Sequence, residues 1–308
     1  MSFQVAVNQI LILFTIMIIG FICKKTKLID ENTEKSLSSV MLNITLPSLM
    51  LSTINVSYDP DTLPNMLQIF CITIVFYIII ILFANGTARL FRFKSPLADT
   101  YINLITFANV GFMGFPIVNA MLGQIGVLYA TIVNLIFNLL LWTYGILIIN
   151  KEGSIDLKKL FNIGTISSSL TIILFTLKIR MPAVLLTALD MIGDMTTPIS
   201  MILIGSYIAD IDSVKSFFDW RIGVISFFRL LLIPTVLAFV LSWLGINNTV
   251  ISLCTILAAA PSGTTNAIFA KQFNAEPTFT SVAVFVTTLL FLVTLPCIIF
   301  ILNNYILI

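Results

Sequence analysis

Long runs of apolar residues, separated by short polar stretches, follow one another along almost the whole chain. Because a membrane-spanning helix needs about 20 predominantly apolar residues, these runs predict helices that cross a bilayer. The third run, Leu67 to Ala84, contains no charged residue. The pattern predicts ten spans, near residues 4–23, 36–55, 64–86, 100–122, 125–149, 160–178, 183–209, 220–244, 248–270 and 278–303.

Two of these spans contain a sequence that interrupts a helix. Asn109 to Pro116 reads NVGFMGFP, and Ala260 to Asn266 reads APSGTTN. Proline lacks a backbone donor and clashes with the preceding turn, so proline with nearby polar or glycine residues predicts an unwound segment. Such a segment is tolerated at membrane depth only where protein or a wet cavity satisfies its backbone. Breaks in corresponding positions of two halves indicate the binding site of a secondary transporter.

The composition agrees with a membrane protein. Hydrophobic residues make up 58% of the 308 residues and charged residues 10%, whereas a soluble domain has about 25% charged residues. The chain has no His, the commonest metal ligand. The cysteines show no metal-ligand spacing, and we interpret them as core residues rather than disulfide partners. They are Cys23, Cys71, Cys254 and Cys297.

Lys and Arg are distributed unevenly between the two sides of the predicted bundle. Loops after even-numbered spans hold only Lys178 and Arg180, and Arg229 lies inside a span. The thirteen others follow odd-numbered spans: Lys24, Lys25, Lys27, Lys35, Arg89, Arg92, Lys94, Lys151, Lys158, Lys159, Lys215, Arg221 and Lys271. Because cytoplasmic loops are enriched in Lys and Arg, we expect a multi-pass plasma-membrane protein with both termini outside. No Lys or Arg precedes the first run, so we do not interpret it as a signal peptide.

The order of features predicts two inverted repeats. Residues 1–150 would form the first five-helix repeat, 151–159 a cytoplasmic linker and 160–308 the second repeat. Two like-folded halves with five spans each must have opposite orientations. The second span of each half carries Pro47 or Pro198, and the fourth carries the break. The predicted fold class is an all-α polytopic membrane protein with ten transmembrane helices and two crossing broken helices.

The motifs of common enzymes are missing from the sequence. There is no G-x-x-x-x-G-K-[ST] phosphate loop and no H-E-x-x-H zinc motif, and Gly111 and Gly114 do not make a dinucleotide loop. We therefore predict no catalytic residues, no cofactor, no metal site and no nucleic-acid partner.

The broken segments supply the candidate substrate-binding residues. If they cross near the midplane, the N-termini of the half-helices present free N–H groups that favour an anion. The alternative is that their small residues only permit close helix packing. The candidates are Asn109, Gly111, Gly114, Pro116, Pro261, Ser262, Gly263, Thr264, Thr265 and Asn266.

Several other polar residues inside the spans have two interpretations each. Asp194 and Asp190 are either ion-coupling residues, since a carboxylate in the bilayer needs a cavity or a partner, or interfacial groups. For Asp190 the interfacial alternative is pairing with Lys178 or Arg180. Arg229 either extends to the cytoplasmic face or takes part in the transport pathway. Asn134 and Asn138 either link helices or line the cavity. The candidate cavity-lining residues are Asn43, Pro47, Asn134, Asn138, Pro198 and Arg229.

In their order, these motifs resemble the auxin efflux carrier family, which includes bacterial malate-permease-like carriers and plant auxin exporters. The matching segments are Asn109 to Pro116 with Gly123, Leu46 to Leu49, Thr197 to Gly205, Arg229 to Pro234, Ala260 to Lys271 and Thr294 to Pro296. The resemblance implies inverted repeats as in sodium/proton antiporter and bile-acid symporter-like folds, a scaffold and a transport domain, an elevator motion and homodimers. It also implies that helices 4 and 9 cross at Pro116 and Pro261 and that the cargo is an organic anion.

We therefore expect a secondary active transporter, not an enzyme, with alternating access at the crossing of helices 4 and 9. Its partners would be the lipid bilayer and a small organic anion, such as the dicarboxylate malate or another weak acid. The short 151–159 linker argues against auxin as cargo. An ion-conducting channel or receptor is one alternative. A membrane-embedded prenyl-transferase-type enzyme is another, which only Asp190 and Asp194 suggest.

Overall fold

The structure is a computed structural model that describes residues 3–150, 157–209 and 219–306. These residues are nearly all helical, and their extended pairing is a single antiparallel bridge between Ala108 and Ser262. The α-helices are α1 (Phe3–Lys25), α2 (Glu31–Val40), α3 (Leu46–Ser52), α4 (Thr62–Leu90), α5 (Leu97–Thr106), α6 (Phe115–Leu140), α7 (Ile146–Ile149), α8 (Ile163–Thr176), α9 (Ala183–Asp194), α10 (Thr196–Ala209), α11 (Trp220–Phe227), α12 (Ile233–Trp243), α13 (Asn248–Ala259), α14 (Thr264–Gln272) and α15 (Pro277–Ile301). Turns of π-helix lie at Met41–Thr45, Val110–Gly114, Leu141–Gly145, Phe228–Leu232 and Leu302–Ile306, and 3₁₀ turns at Thr53–Asn55 and Leu157–Phe161. Residues 151–156 of the predicted linker lie outside the described residues.

Six helical runs in the described part of the chain are long and apolar enough to cross a bilayer. They are Glu31–Asn55, Thr62–Leu90, Val110–Ile149, Ala183–Ala209, Trp220–Trp243 and Pro277–Ile306. Shorter apolar helices, Ile163–Thr176 and Asn248–Ala259, lie in the predicted sixth and ninth spans. The all-helical membrane class is therefore confirmed, whereas ten spans in two inverted repeats stay a prediction.

One of these runs is too long for a single crossing. Val110–Ile149 has 40 residues, but Gly123 within it has φ 63° and ψ −157°. A side chain is poorly tolerated at these angles, so glycine allows the chain to turn there. The run is thus two helices joined at Gly123, where the apolar pattern predicts a boundary between two spans.

The outer faces of the helices are apolar. On α4, Leu67 is 65% exposed, Ile79 59% and Leu82 67%, while Ile69 and Tyr77 are buried. Such continuous apolar exposure is rare on soluble proteins. Lipid is the solvent that this face requires.

Helices α1 and α10 pack with their backbones in direct contact. A Cβ atom added to Gly205 would collide with the Met17 carbonyl oxygen, and one added to Gly20 would collide with that of Ile202. Small residues commonly permit such approach between membrane helices. Helix α6 packs against α8, α13 and α10, and α5 packs against α4. These contacts bury the two non-helical segments, 107–109 and 260–263, inside the bundle.

Candidate functional site at the crossing of two broken helices

The first break separates α5 from α6. Helix α5 ends at Thr106, and the backbone angles are φ −103°, ψ 105° at Phe107 and φ −82°, ψ 64° at Asn109. The side-chain oxygen of Asn109 accepts a hydrogen bond of 3.2 Å from the Phe112 N–H. Asn109 is therefore the N-cap of the helical stretch that resumes at Val110, because its side chain replaces a missing backbone acceptor.

Pro116 lies in the continuing helix rather than in the break. It is the second residue of α6, directly after the π-turn Val110–Gly114, and it is buried. The Phe115 N–H bonds to the Val110 carbonyl across that turn. Proline is tolerated in the first turn of an α-helix, so the chain continues through it. The crossing lies at residues 107–109, not at Pro116 as the resemblance implies.

The second break separates α13 from α14. Helix α13 ends at Ala259, and Ala260 is extended, with φ −55° and ψ 143°. The residue before a proline is pushed out of the helical region, so Pro261 accounts for this conformation. Gly263 is also extended and precedes the first residue of α14, Thr264.

The two breaks lie side by side and satisfy each other's backbone. The Asn109 N–H donates to the Pro261 carbonyl at 2.8 Å, and the Gly263 N–H donates to the Phe107 carbonyl at 2.9 Å. Unwound backbone inside a membrane bundle needs such partners. The two broken helices therefore meet directly at their interruptions.

Two side chains, Ser262 of the second break and Asn266 of α14, bind the C-terminal end of α5. The Ser262 hydroxyl donates to the Leu104 carbonyl at 2.9 Å, and the Asn266 side-chain nitrogen donates to the Phe107 carbonyl at 3.1 Å. Both side chains are buried, and neither lines the cavity described below. Their role at the crossing is to hold the two helices together.

Arg229 binds the carbonyl ends of both broken helices. Only 1% of it is exposed; its Nε donates to the Ala260 carbonyl at 3.1 Å and its Nη1 to the Ile105 carbonyl at 3.2 Å. These carbonyls belong to the C-terminal ends of α13 and α5, where backbone acceptors lack helical partners and the dipole is negative. The guanidinium thus neutralises both ends, and the interpretation that Arg229 extends to the cytoplasmic face is wrong.

A cavity of about 240 Å³ opens beside the crossing. Its lining includes the last residue of each break, Asn109 and Gly263, and residues that follow, such as Gly111 and Thr265. The full lining is Leu42, Asn43, Leu46, Ala108, Asn109, Val110, Gly111, Phe112, Asn134, Phe137, Asn138, Leu141, Trp142, Asn162, Ile163, Gly164, Gly263 and Thr265. None of these side chains is charged. The cavity therefore combines several amides with the positive ends of two helix dipoles.

The structure brings together only part of the predicted site. Asn109, Gly111, Gly263, Thr265, Asn43, Asn134 and Asn138 line the cavity. Gly114, Pro116, Pro261, Ser262, Thr264, Asn266, Pro47, Pro198 and Arg229 do not. Many of the second group lie within the crossing itself, where helices pack too tightly for a ligand. A Cβ at Gly114, for example, would lie 2.8 Å from a Leu257 methyl carbon.

Asn134 and Asn138 both line the cavity, and of their described hydrogen bonds only that of Asn134 links two helices. Asn134 lines the cavity and also donates to the Ser168 hydroxyl of α8 at 2.9 Å. Asn138 lines the cavity and donates to the carbonyl of Asn134 in its own helix at 2.9 Å.

The sequence reasoning missed the contribution of α8. Asn162 lines the cavity, and its side-chain oxygen accepts a hydrogen bond of 3.0 Å from the Thr165 N–H. A polar residue before an apolar run is a signal for an N-cap, which could have been noticed. Its position in a cavity that α6 also lines could not, because that position depends on how α8 packs on α6.

The two acids of the seventh predicted span lie elsewhere. Asp190 is half-buried and accepts a hydrogen bond of 3.1 Å from Gln124, while Asp194 is exposed. Neither lines the cavity. The predicted pairing of Asp190 with Lys178 or Arg180 is not observed: Arg180 donates to the Asn55 carbonyl at 2.7 Å, and the Lys178 amine lies over the Tyr58 ring. In the described residues no three His, Cys, Asp or Glu side chains cluster as metal ligands would.

Comparison with known proteins decides the family. The model of a family described as membrane transport protein matches residues 5–159 and again residues 152–299. The chain belongs to this membrane transport protein family. The double match covers nearly the whole chain, so the chain is a membrane transport protein throughout its length.

Several relatives described as uncharacterized transporters align with nearly the whole of this chain. The uncharacterized transporter MJ1031 of Methanocaldococcus jannaschii is 23% identical over 92% of this chain and 95% of its own length. An uncharacterized transporter of Methanothermobacter thermautotrophicus is 26% identical over 96% of this chain and 98% of its own length. The uncharacterized transporter YfdV of Escherichia coli K12 is 22% identical over 94% of this chain and 95% of its own length. Family and relatives agree that this membrane protein is a transporter.

Proposed function

We propose that this protein is a secondary active transporter that carries a small organic anion through the cavity at the helix crossing. The observation that supports it most directly is the sorting of charge around that crossing. Arg229 occupies the carbonyl ends of the two broken helices, while the N-terminal ends of the following half-helices line the cavity. An anion in the cavity is then favoured by the free N–H groups and dipoles.

The lining supports a small, polar cargo. Five asparagines without a fixed charge line it: Asn43, Asn109, Asn134, Asn138 and Asn162. The amide nitrogens of Asn134, Asn138 and Asn162 each donate one hydrogen bond within the protein, which leaves each a second hydrogen for a ligand. A volume of about 240 Å³ lies below the 300–1,000 Å³ typical of pockets for drug-sized ligands. Dicarboxylates such as malate, or other weak-acid metabolites, fit this description.

The proposal includes the architecture that alternating access requires. Ten spans would form two inverted repeats, residues 1–150 and 160–308, in the plasma membrane with both termini outside. Paired breaks at corresponding positions of two repeats favour alternating access over a permanently open pore. Homodimerisation is part of the same proposal.

The decisive variant is Asn109→Asp, assayed by uptake and counterflow of radiolabelled carboxylates in vesicles. Aspartate keeps the capping oxygen for the Phe112 N–H but replaces an amide donor by a negative charge. A charge-assisted hydrogen bond is worth roughly 1.5–3 kcal/mol, so we expect apparent affinity to fall about tenfold or more with normal folding.

Asn247→Asp is the matched control. Asn247 is an exposed N-cap whose side-chain oxygen accepts from the Thr249 N–H at 2.8 Å, and it does not line the cavity. The control should transport normally. Unchanged affinity in Asn109→Asp would remove this cavity from consideration, and absence of saturable counterflow in the unaltered protein would exclude a carrier.

A further inference from the structure

A second, larger cavity of about 840 Å³ lies where α4, α11 and α15 end or begin. It lies at the opposite end of α5 from the crossing, since Leu97 is the first residue of that helix, and it shares no lining residue with the cavity there. Its lining is Phe91, Arg92, Phe93, Lys94, Leu97, Asp219, Trp220, Arg221, Ile222, Thr278, Phe279 and Val282. The distribution of Lys and Arg predicts that this end of the bundle is cytoplasmic.

Aromatic rings form one wall of this basic-aromatic cavity. The ring of Trp220 lies 5.8 Å, centroid to centroid, from both Phe91 and Phe93. Trp in particular is enriched where the hydrocarbon of a membrane meets its headgroups, because part of its ring is apolar and part is polar. The wall therefore marks the level of the lipid headgroups.

The length of α4 also places its C-terminal end at the level of the lipid headgroups. The helix has 29 residues and is about 43 Å long, whereas the hydrocarbon core is about 30 Å thick. The uncharged run Leu67 to Ala84, about 27 Å long, fits that thickness, so the last turn, which holds Arg89, lies beyond the hydrocarbon. Residues 91–94, which follow that turn, lie among the headgroups.

The net charge of the cavity is positive. Arg221 is already paired with Asp219, whose pKa is lowered chiefly by the hydrogen bond from Arg221, and Glu276 lies within electrostatic range of Arg221. Arg92 and Lys94 are exposed, and neither makes an ion pair with any residue that the structure describes. These two cations are thus available to an anionic group.

Helix α4, which ends at this cavity, forms an apolar groove with α12. It measures about 440 Å³ and is lined by Cys71, Ile72, Val75, Phe76, Ile79, Ile80, Phe83, Leu232, Ile233, Val236, Leu237, Val240, Leu241 and Leu244. Rings connect the groove to the cavity, since Phe228 lies 5.1 Å from Phe83 and 6.4 Å from Phe91. Phe83 and Phe91 are eight residues apart, or about 12 Å along the chain axis. An acyl chain attached to a headgroup in the cavity reaches that far.

From these features we infer that α4, α11, α12 and α15 bind one anionic phospholipid of the cytoplasmic leaflet. The phosphate and headgroup lie against Arg92 and Lys94, the glycerol against the aromatic wall, and an acyl chain enters the near end of the groove. The cytoplasmic leaflet is the anionic one, and basic pockets between helices on that side suit such headgroups. The inference does not depend on the cargo.

The test is binding of phosphatidylglycerol, against phosphatidylcholine, to the full-length protein by native mass spectrometry and thermal stabilisation. The double variant Arg92→Gln/Lys94→Gln should lose about tenfold or more of the preference for phosphatidylglycerol, since each basic residue near the surface contributes substantially to anionic-lipid binding. The double control Lys27→Gln/Lys35→Gln removes the same charge from exposed positions on the same predicted face and should keep the preference.

Three outcomes of this comparison would overturn the inference, and a competition experiment adds a fourth. The three are equal retention of both lipids by the unaltered protein, equal loss in variant and control, and full preference in the Arg92/Lys94 variant. A further arm uses glycerophosphoglycerol and inorganic phosphate, which carry the anionic group without acyl chains. If either competes as well as the intact lipid, the cavity binds a soluble anion and the lipid assignment fails.

Discussion

At the scale of single residues, Arg229 shows how the bundle accommodates a charge in its interior. A buried guanidinium is stable only where acceptors satisfy its donors. Two carbonyls supply that need, and each of them would otherwise be an unsatisfied helix end. The residue and the breaks therefore depend on each other.

We predict that Arg229→Met folds less stably and transports poorly. The change leaves two buried carbonyls without a donor, at about 1–3 kcal/mol each. Arg229→Lys keeps the charge but not the forked geometry of the guanidinium. Its melting temperature should therefore lie between those of the unaltered protein and Arg229→Met. Thermal unfolding of purified protein measures both.

Arg180→Met is the control for that experiment. Arg180 also donates to a backbone carbonyl, that of Asn55, but it is exposed. Its loss should change the melting temperature little. Equal effects of the two Met variants would contradict the role given to Arg229.

For ion coupling, Asp194 is the residue to test. It is exposed on the surface of a membrane bundle, whereas Asp190 already has Gln124 as a hydrogen-bond donor. If Asp194 couples transport to protons or sodium, Asp194→Asn should abolish dependence on the imposed gradient in vesicles. Asp190→Asn should have a smaller effect. Unaltered ion dependence in both variants would place coupling elsewhere or show transport without it.

Local sequence could predict which residues cap or break helices, but not which residues they meet. The break at Pro261 follows from proline chemistry, and the capping role of Asn109 from its side chain. Arg229 bonds to carbonyls 31 and 124 residues away along the chain. Such partners depend on tertiary packing, which is why the sequence left its role open.

At the scale of elements, three prolines share one arrangement. Pro47, Pro116 and Pro234 are each the second residue of an α-helix that directly follows a π-turn. The wider turn accommodates the missing donor, so the helix bends or shifts without ending. A proline in the sequence is therefore not enough to predict a helix break. Pro261, unlike these three prolines, follows an extended residue and lies in a break.

We predict that Pro261→Ala lowers maximal transport more than Pro116→Ala does. Alanine restores a donor and frees Ala260 from its restriction, so α13 can continue through the break. Pro116 lies within a continuing helix, and its loss alters less. Pro198→Ala, at an exposed position in α10, is the control. Equal transport in all three variants, at matched expression, would contradict this prediction.

The contact of α1 with α10 is testable through its glycines. Gly205→Ala places a methyl group against the Met17 backbone, which cannot yield easily, and overpacking typically costs about 1–3 kcal/mol. The melting temperature should fall. Gly223→Ala meets nothing within 4 Å and should leave it unchanged or slightly raised. No difference between the variants would show that the helices can separate.

At the scale of the whole molecule, the uneven distribution of Lys and Arg predicts orientation. Single cysteines at Asn32 and Asp59, both exposed, should be labelled from the cytoplasmic and outer sides respectively. The background must lack Cys23, Cys71, Cys254 and Cys297. Labelling of both positions from one side would contradict the proposed topology.

The antiparallel bridge between Ala108 and Ser262 has a consequence for biosynthesis. The first half of the chain emerges and enters the membrane well before α13 and α14 exist. Until then the Phe107 carbonyl and the Asn109 N–H lack the partners that Pro261, Gly263 and Asn266 later provide. Unpaired backbone in lipid costs several kcal/mol per group. The first half of the chain therefore stays incompletely folded in the membrane until the second half has been inserted and supplies these hydrogen-bond partners.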